Sequence, residues 1–267
     1  MSTALKIFHL NCGSLNPLFV NVKSLVYCLL IKTEDRLVLV DTGFGTEDYH
    51  HPTRKVRFFQ RWMGVPCTRE ETALFQVKQL GYRPDEVTDI ICTHLHIDHT
   101  GGMSDFPDAA VHVFHPELQF ARQPRGWSGF ALEPAHWAHQ PQWNVHNRTG
   151  ETWFGLDGIC ILTSLEADFW LLPMPGHTPG HCGVALGKPG HWLLHCGDAA
   201  SPYHPHTDLH NRDRSAYCLA FFPPSVTKRL SGDHTEKLRI LLKEHPEEIR
   251  AISSHDIFSF REFRSAR

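Results

Sequence analysis

Thr93-His94-Leu95-His96-Ile97-Asp98-His99 sets three imidazoles and one carboxylate within six consecutive positions, directly after the apolar run 87–92. Nothing in side-chain packing calls for that density of nitrogen and oxygen donors. A bound divalent cation does. His94 and His96 stand two apart, so on an extended backbone both side chains leave on one side. Asp98 and His99 follow where Thr100-Gly101-Gly102 allows a tight turn into an expected helix. Four donors can therefore converge from one short segment.

Three more candidates each follow an apolar run. His177 lies in Pro-Gly-His-Thr-Pro-Gly-His after 169–174, Asp198 in His-Cys-Gly-Asp after 192–196, and His255 in Ser-Ser-His-Asp after 249–254. Strand ends are rigid, aligned positions suited to a preorganised site. Five histidines and two carboxylates exceed the four ligands of a tetrahedral Zn²⁺. Two ions sharing a bridging carboxylate fit the count. His181 directly precedes a strand and is assigned a supporting or capping role. His195 lies inside a strand and reads as support or core, whereas His112 and His115 read as strand-end surface residues.

Around these residues the chain alternates short strands with a few helices. Strands are expected at 5–10, 25–31, 37–40, 87–92, 110–114, 159–162, 169–172, 182–186, 192–195 and 249–253. Helical spacing marks 72–80, a segment opening at Pro116, and 235–244 with its Leu238, Leu241 and Leu242 stripe. The pattern predicts an α/β protein, two sheets face to face with helices outside. We expect one domain over 1–267, with loop insertions at about 44–72 and 121–153. A net charge of -3 favours neither nucleic acid nor an anionic membrane as partner. Eight cysteines without a C-x-x-C pair read as buried thiols of a reducing compartment. No secretory leader and no apolar run of membrane-spanning length is evident, so a cytoplasmic location is expected.

At the histidine run, with Asp41-Thr42-Gly43, His177, Asp198 and His255, the chain resembles the metallo-β-lactamase superfamily, the αββα sandwich hydrolases. The resemblance implies that His94, His96 and His177 bind one metal, that Asp98, His99 and His255 bind another, and that Asp198 bridges them. It also implies that Asp41 orients the site from behind the ligands, with Thr93 assisting. A bridging aspartate argues against the antibiotic-hydrolysing branch, and only twelve residues after His255 argue against a glutathione-thioester hydrolase. The chain is most similar to the N-acyl homoserine lactonase-like group. In that group a tyrosine follows the bridging aspartate by three residues; here Ser201 holds that spacing and Tyr203 stands two further on.

The expected activity is therefore a dinuclear metal-dependent hydrolase, two Zn²⁺ or Mn, Fe or Co in their place. It would open a lactone or cleave a related ester by attack of hydroxide held between the ions. Asp98 would carry the proton and Tyr203 would assist at the carbonyl. A phosphotriesterase or thioesterase on the same scaffold is the alternative, and a mononuclear iron oxygenase a more distant one. Phe59, Trp62, Met63, Trp127, Phe130 and Trp137 are the candidate apolar pocket, with a homodimer interface as their other possible use.

Overall fold

The αββα layering follows from strands that are apolar on both faces. The computed structural model describes residues 5–17, 23–66, 68–199 and 233–265. Six strands form one sheet, β1 (Lys6–Leu15), β2 (Ser24–Lys32), β3 (Leu37–Val40), β4 (Asp89–Ile91), β5 (Ala110–Phe114) and β6 (Gln142–His146), in that order. β1 to β3 are antiparallel and β3 to β6 parallel. After a small hairpin of β7 (Thr152–Trp153) and β8 (Leu156–Asp157) comes the second sheet. It consists of β9 (Ile159–Thr163), β10 (Asp168–Pro173), β11 (Cys182–Lys188), β12 (His191–His195) and β13 (Ile249–Ile252), in reverse order. β13 joins β12 in parallel, while the other neighbours are antiparallel.

Side-chain alternation distributes the core into layers. From β2, Leu25, Tyr27, Leu29 and Ile31 face the second sheet and meet Phe169, Leu171, Val184 and Leu186. The intervening Val26, Cys28 and Leu30 face the other way, onto α2 (Arg54–Trp62), α3 (Ala73–Gln79) and α5 (His115–Arg122) through Val56, Val77 and Leu118. On the far side, α7 (Asp233–Glu244) lays Leu238 and Leu241 over Trp192 and Leu194. Both sheets are thus covered on both faces, which is why β2 reads as a continuous apolar run.

Several segments differ from the sequence expectation. The stretch 44–72, expected as a loop, carries α1 (Thr46–His50) and α2, whose arginine-rich sequence hides its helical spacing. The stretch 121–153 carries α6 (Gly126–Phe130) and the edge strand β6, whose mostly exposed side chains show no apolar alternation. α4 (Ile97–Thr100) forms where the glycine turn suggested, and α8 (Ile257–Ser265) follows β13 unforeseen.

His112 is also not a surface residue; it is buried. Its Nε2–H donates to Asp89 Oδ1 at 2.9 Å, and Arg36 holds the other Asp89 oxygen at 2.9 Å. His112 Nδ1 lies 2.9 Å from His146 Nε2, with the rings stacked at 5.1 Å. This contact fastens β6 to β5. Burial, then the neighbouring His112 charge, push the His146 imidazole down to about 4. The folded value lies below the unfolded 6.5, so the unfolded chain takes up the proton first as pH falls.

Two outcomes follow for stability. Phe169→Ala, at a fully buried position between the sheets, should lower unfolding free energy in urea by about 3–5 kcal/mol. Wild-type stability should decline as pH drops from 6.5 toward 4, and His146→Asn should lessen that decline; parallel wild-type and variant curves would count against the His112–His146 contact.

Candidate metal centre

The site lies where five strands end on the same side of the sandwich. β3 runs into Asp41, β4 into Thr93 and His94, β10 into His177, β12 into Asp198 and β13 into His255. Ligands gather at the carboxyl ends of strands in open α/β sheets. Three groups converge within 4.8 Å of one another: His94, His96 and His177; His94, His99 and Asp198; and Asp98, His99 and His255. His96 Nδ1 and His177 Nε2 face each other at 2.9 Å. Asp198 lies between the groups, with Oδ2 3.3 Å from both His177 Nε2 and His255 Nε2 and Oδ1 3.4 Å from His99 Nε2. Asp98 Oδ2 stands 3.6 Å from His255 Nε2 and 3.7 Å from His99 Nε2.

Hydrogen bonds behind the cluster decide which ring nitrogen faces inward. Asp41 accepts from Thr93 N at 2.8 Å, from the Thr93 hydroxyl at 2.7 Å and from His99 Nδ1–H at 2.8 Å. With its proton given to Asp41, the Thr93 hydroxyl accepts from His94 Nδ1–H at 3.1 Å. His255 Nδ1–H donates to Leu25 O at 2.9 Å. Each arrangement leaves Nε2 directed into the cluster. His181 is spent on the backbone: Nδ1–H donates to Met174 O at 3.1 Å and Nε2 accepts from Asp198 N at 2.9 Å. Gly197 makes that approach possible, since with φ of 56° a Cβ there would meet His181 Nε2 at 2.4 Å. His195 likewise anchors backbone, through Tyr27 O at 2.7 Å and Gly197 N at 3.2 Å.

Two supporting residues carry no sequence signal. Buried Glu117 accepts from Leu95 N at 2.9 Å, from the Thr178 hydroxyl at 2.5 Å and from Gly180 N at 3.1 Å. It ties the His94–His96 segment to the His177 loop, and burial pushes its carboxyl up to about 7 against those donors. In the sequence it is an ordinary first-turn acid after Pro116. Ser128 of α6 donates to His177 O at 2.9 Å and lies 3.1 Å from His96 Nε2. Its proton is committed to the carbonyl, so it accepts from His96 Nε2–H and leaves Nδ1 facing His177. A third link runs from Asp48 through His136 to Thr100, whose hydroxyl donates to His96 O at 3.0 Å.

The donor chemistry fits a divalent cation. Among the described residues, buried His94 Nε2, His99 Nε2 and Asp198 Oδ1 have no hydrogen-bond partner. Burial drives His94 and His96 well below the ordinary imidazole range, assisted by neighbouring imidazoles, and lowers His177. Their lone pairs are therefore available at neutral pH. Burial also opposes charge on His99, but Asp98, Asp198 and Asp41 outweigh it and raise the group to about 10. Burial works against the Asp198 anion, yet His255, His99 and His177 hold it well below the usual carboxylate range. A divalent cation held by these groups would compete with protons for the same atoms.

The expected apolar pocket is rearranged. Phe130 is 45% exposed and meets Phe58 edge-on at 6.2 Å; Phe58 in turn packs against Trp62 at 5.9 Å. Phe59, Met63 and Trp137 instead pack into the core beneath the helices. Their positions on the inward arc of α2 and beside the buried His136 account for that. The side chain of Trp127 and all of Tyr203 lie outside the described residues.

A family model described as the metallo-beta-lactamase superfamily matches residues 23–244. A probable metallo-hydrolase of Mycobacterium tuberculosis is 37% identical over 254 residues, 94% of this chain and 80% of that protein. An N-acyl homoserine lactonase of Bacillus cereus is 26% identical over 168 residues, 60% of this chain and 58% of its own length. In fold, the chain matches an N-acyl homoserine lactone hydrolase solved with N-hexanoyl-L-homoserine at its catalytic metal centre. That match has a TM-score of 0.66 at 19% identity and covers 100% of this chain and 98% of the other.

Ser128→Ala should weaken Zn²⁺ retention about 10–100-fold in competition with a chelator while the far-UV circular dichroism is unchanged. Ser128→Thr, which keeps the hydroxyl, should recover most of it; equal loss in both variants would refute the role given to the hydroxyl.

Proposed function

The chain belongs to the metallo-β-lactamase superfamily and is a metal-dependent hydrolase, and from that premise we propose that it opens lactones or cleaves related carboxylic esters at a two-metal centre. The observation that carries the two-metal reading is the placing of Asp198, one carboxylate in contact range of His177, His99 and His255 at once. His94, His96 and His177 would hold one ion and Asp98, His99 and His255 the other, with Asp198 placed to serve either. The lactonase relatives at 26–27% identity support the substrate class.

Bound divalent ions supply Lewis acidity and ease the ionisation of water at neutral pH. The chain's own groups do the rest. Asp41, Thr93 and Ser128 hold the imidazoles in the tautomers that present a lone pair inward. Asp98 borders the cluster with one oxygen toward His99 and His255. It accepts a proton as the attacking oxygen bonds to the carbonyl carbon, and returns it to the leaving alkoxide when the carbon–oxygen bond breaks. The exposed pair Phe58 and Phe130 offers an apolar wall beside Ser128 for the acyl portion.

The protein purified without chelator should carry close to two divalent ions per chain by elemental analysis. It should release acid from γ-lactones or short esters in a pH-stat. Asp198→Asn should abolish that activity and reduce the metal content while far-UV circular dichroism is retained. Full activity after exhaustive chelation would overturn the proposal.

A further inference from the structure

Helix α2 carries a face that hydrolysis alone does not require. Val56 and Gln60 are buried, while Arg54, Arg57, Phe58 and Arg61 are exposed. At 3.6 residues per turn the three arginines form one stripe, with Phe58 and then Trp62 beside it. None of the three arginines pairs with a carboxylate among the described residues. The helix itself does not favour them. Arg54 in the first turn opposes the helix dipole, and Arg57 and Arg61 are like charges four apart. Nor do they reflect a basic protein, since the chain's net charge is -3.

Two runs of contacts link the helix that carries the stripe to the metal centre. Lys55 Nζ donates to Leu132 O at 2.7 Å, and Leu132 bridges to His96. Phe58 meets Phe130, two residues from Ser128, whose hydroxyl is 3.1 Å from His96 Nε2. The chain of contacts runs from His96 to Ser128, through Phe130 to Phe58, and Phe58 lies beside the arginines on α2.

We propose that this stripe recognises the anionic end of an amphiphilic ester. The scissile carbonyl sits at the histidine–aspartate cluster, an apolar chain crosses Phe130 and Phe58, and a terminal carboxylate or phosphate pairs with Arg54, Arg57 and Arg61. The inference rests on the hydrolase reading above and narrows its substrate class. A soluble substrate suits the face better than a lipid surface. α2 has nine residues and exposes Phe58 as its one strongly exposed apolar side chain, too little apolar area for interfacial insertion.

The test compares two esters that differ only at the far end, p-nitrophenyl octanoate and the mono-p-nitrophenyl ester of suberic acid. Wild type should prefer the anionic half-ester in kcat/KM, and the preference should shrink as salt rises. In the combined variant R54Q/R57Q/R61Q the ratio of the two kcat/KM values should fall about tenfold. Arg57→Gln alone should move it part of the way. A ratio unchanged in the triple variant overturns the proposal. Calorimetric binding of hexyl phosphate reads the same surface without turnover: wild type should bind it and the triple variant should not. If neither ester is hydrolysed yet that binding difference holds, the hydrolase reading fails and the anion surface stands. Equal binding by both proteins overturns the surface. Co-sedimentation with phosphatidylserine vesicles that the triple variant abolishes would assign the stripe to a lipid surface and overturn the proposal too.

Discussion

Asp41 holds one carboxylate against three donors, Thr93 N, the Thr93 hydroxyl and His99 Nδ1–H, at the junction of two neighbouring strand ends. It is fully buried and adopts φ of 55°, a conformation that few residues other than glycine tolerate and aspartate tolerates better than most. The backbone turn and the hydrogen bonds are one device: only from that turn can the carboxylate reach the segment after β4. Because the Thr93 hydroxyl gives its proton to Asp41, it must accept from His94. The orientation of two imidazoles therefore depends on one side chain that is not itself among the candidate ligands.

The same logic recurs across the other boundaries of the site. Glu117 joins the His94–His96 segment to the His177 loop, and Ser128 joins His96 to the carbonyl of His177. Cys182 N donates to Thr93 O at 2.9 Å, which links the second sheet directly to the first at the edge of the cluster. Every segment that contributes a donor is thus cross-braced by a hydrogen bond to a different segment. Positions held in this way satisfy what a catalytic constellation demands, inward atoms held by neighbours whose own geometry is determined.

The sequence made the donors legible and left their supports obscure. A cluster such as His94–His99 stands out because its residue types have no packing rationale, and each remaining donor follows an apolar strand that periodicity can detect. Asp41 was accessible through its Asp-Thr-Gly turn. Glu117, Ser128 and the Asp48–His136–Thr100 link were not, because each acts across the fold on a partner distant in the chain: Asp48 and His136 are 88 positions apart. The layered architecture is readable from alternation, whereas β6 is not, because an edge strand with exposed side chains leaves no alternating signal. α2 is hidden for a related reason. Its buried arc is formed partly by Gln60 and its exposed arc is crowded with arginine, so composition masks the period.

The electrostatics of the cluster connect the fold to its chemistry. Burial lowers His94, His96, His177 and His181, while the carboxylates facing His99 and His255 outweigh burial and raise both. Among the described residues, His94 Nε2, His99 Nε2 and Asp198 Oδ1 are buried without a hydrogen-bond partner, and such atoms oppose folding. A divalent ion on the proposed ligands would satisfy those atoms together. Its binding free energy would then add to folding stability, since the unfolded chain has no assembled site. The cross-bracing works in the opposite sense, because it forms the site before an ion arrives and the strand ends would bear the strain of holding like groups together. Two sheets buried on both faces, rather than flexible loops, are what such a preassembled cluster needs beneath it.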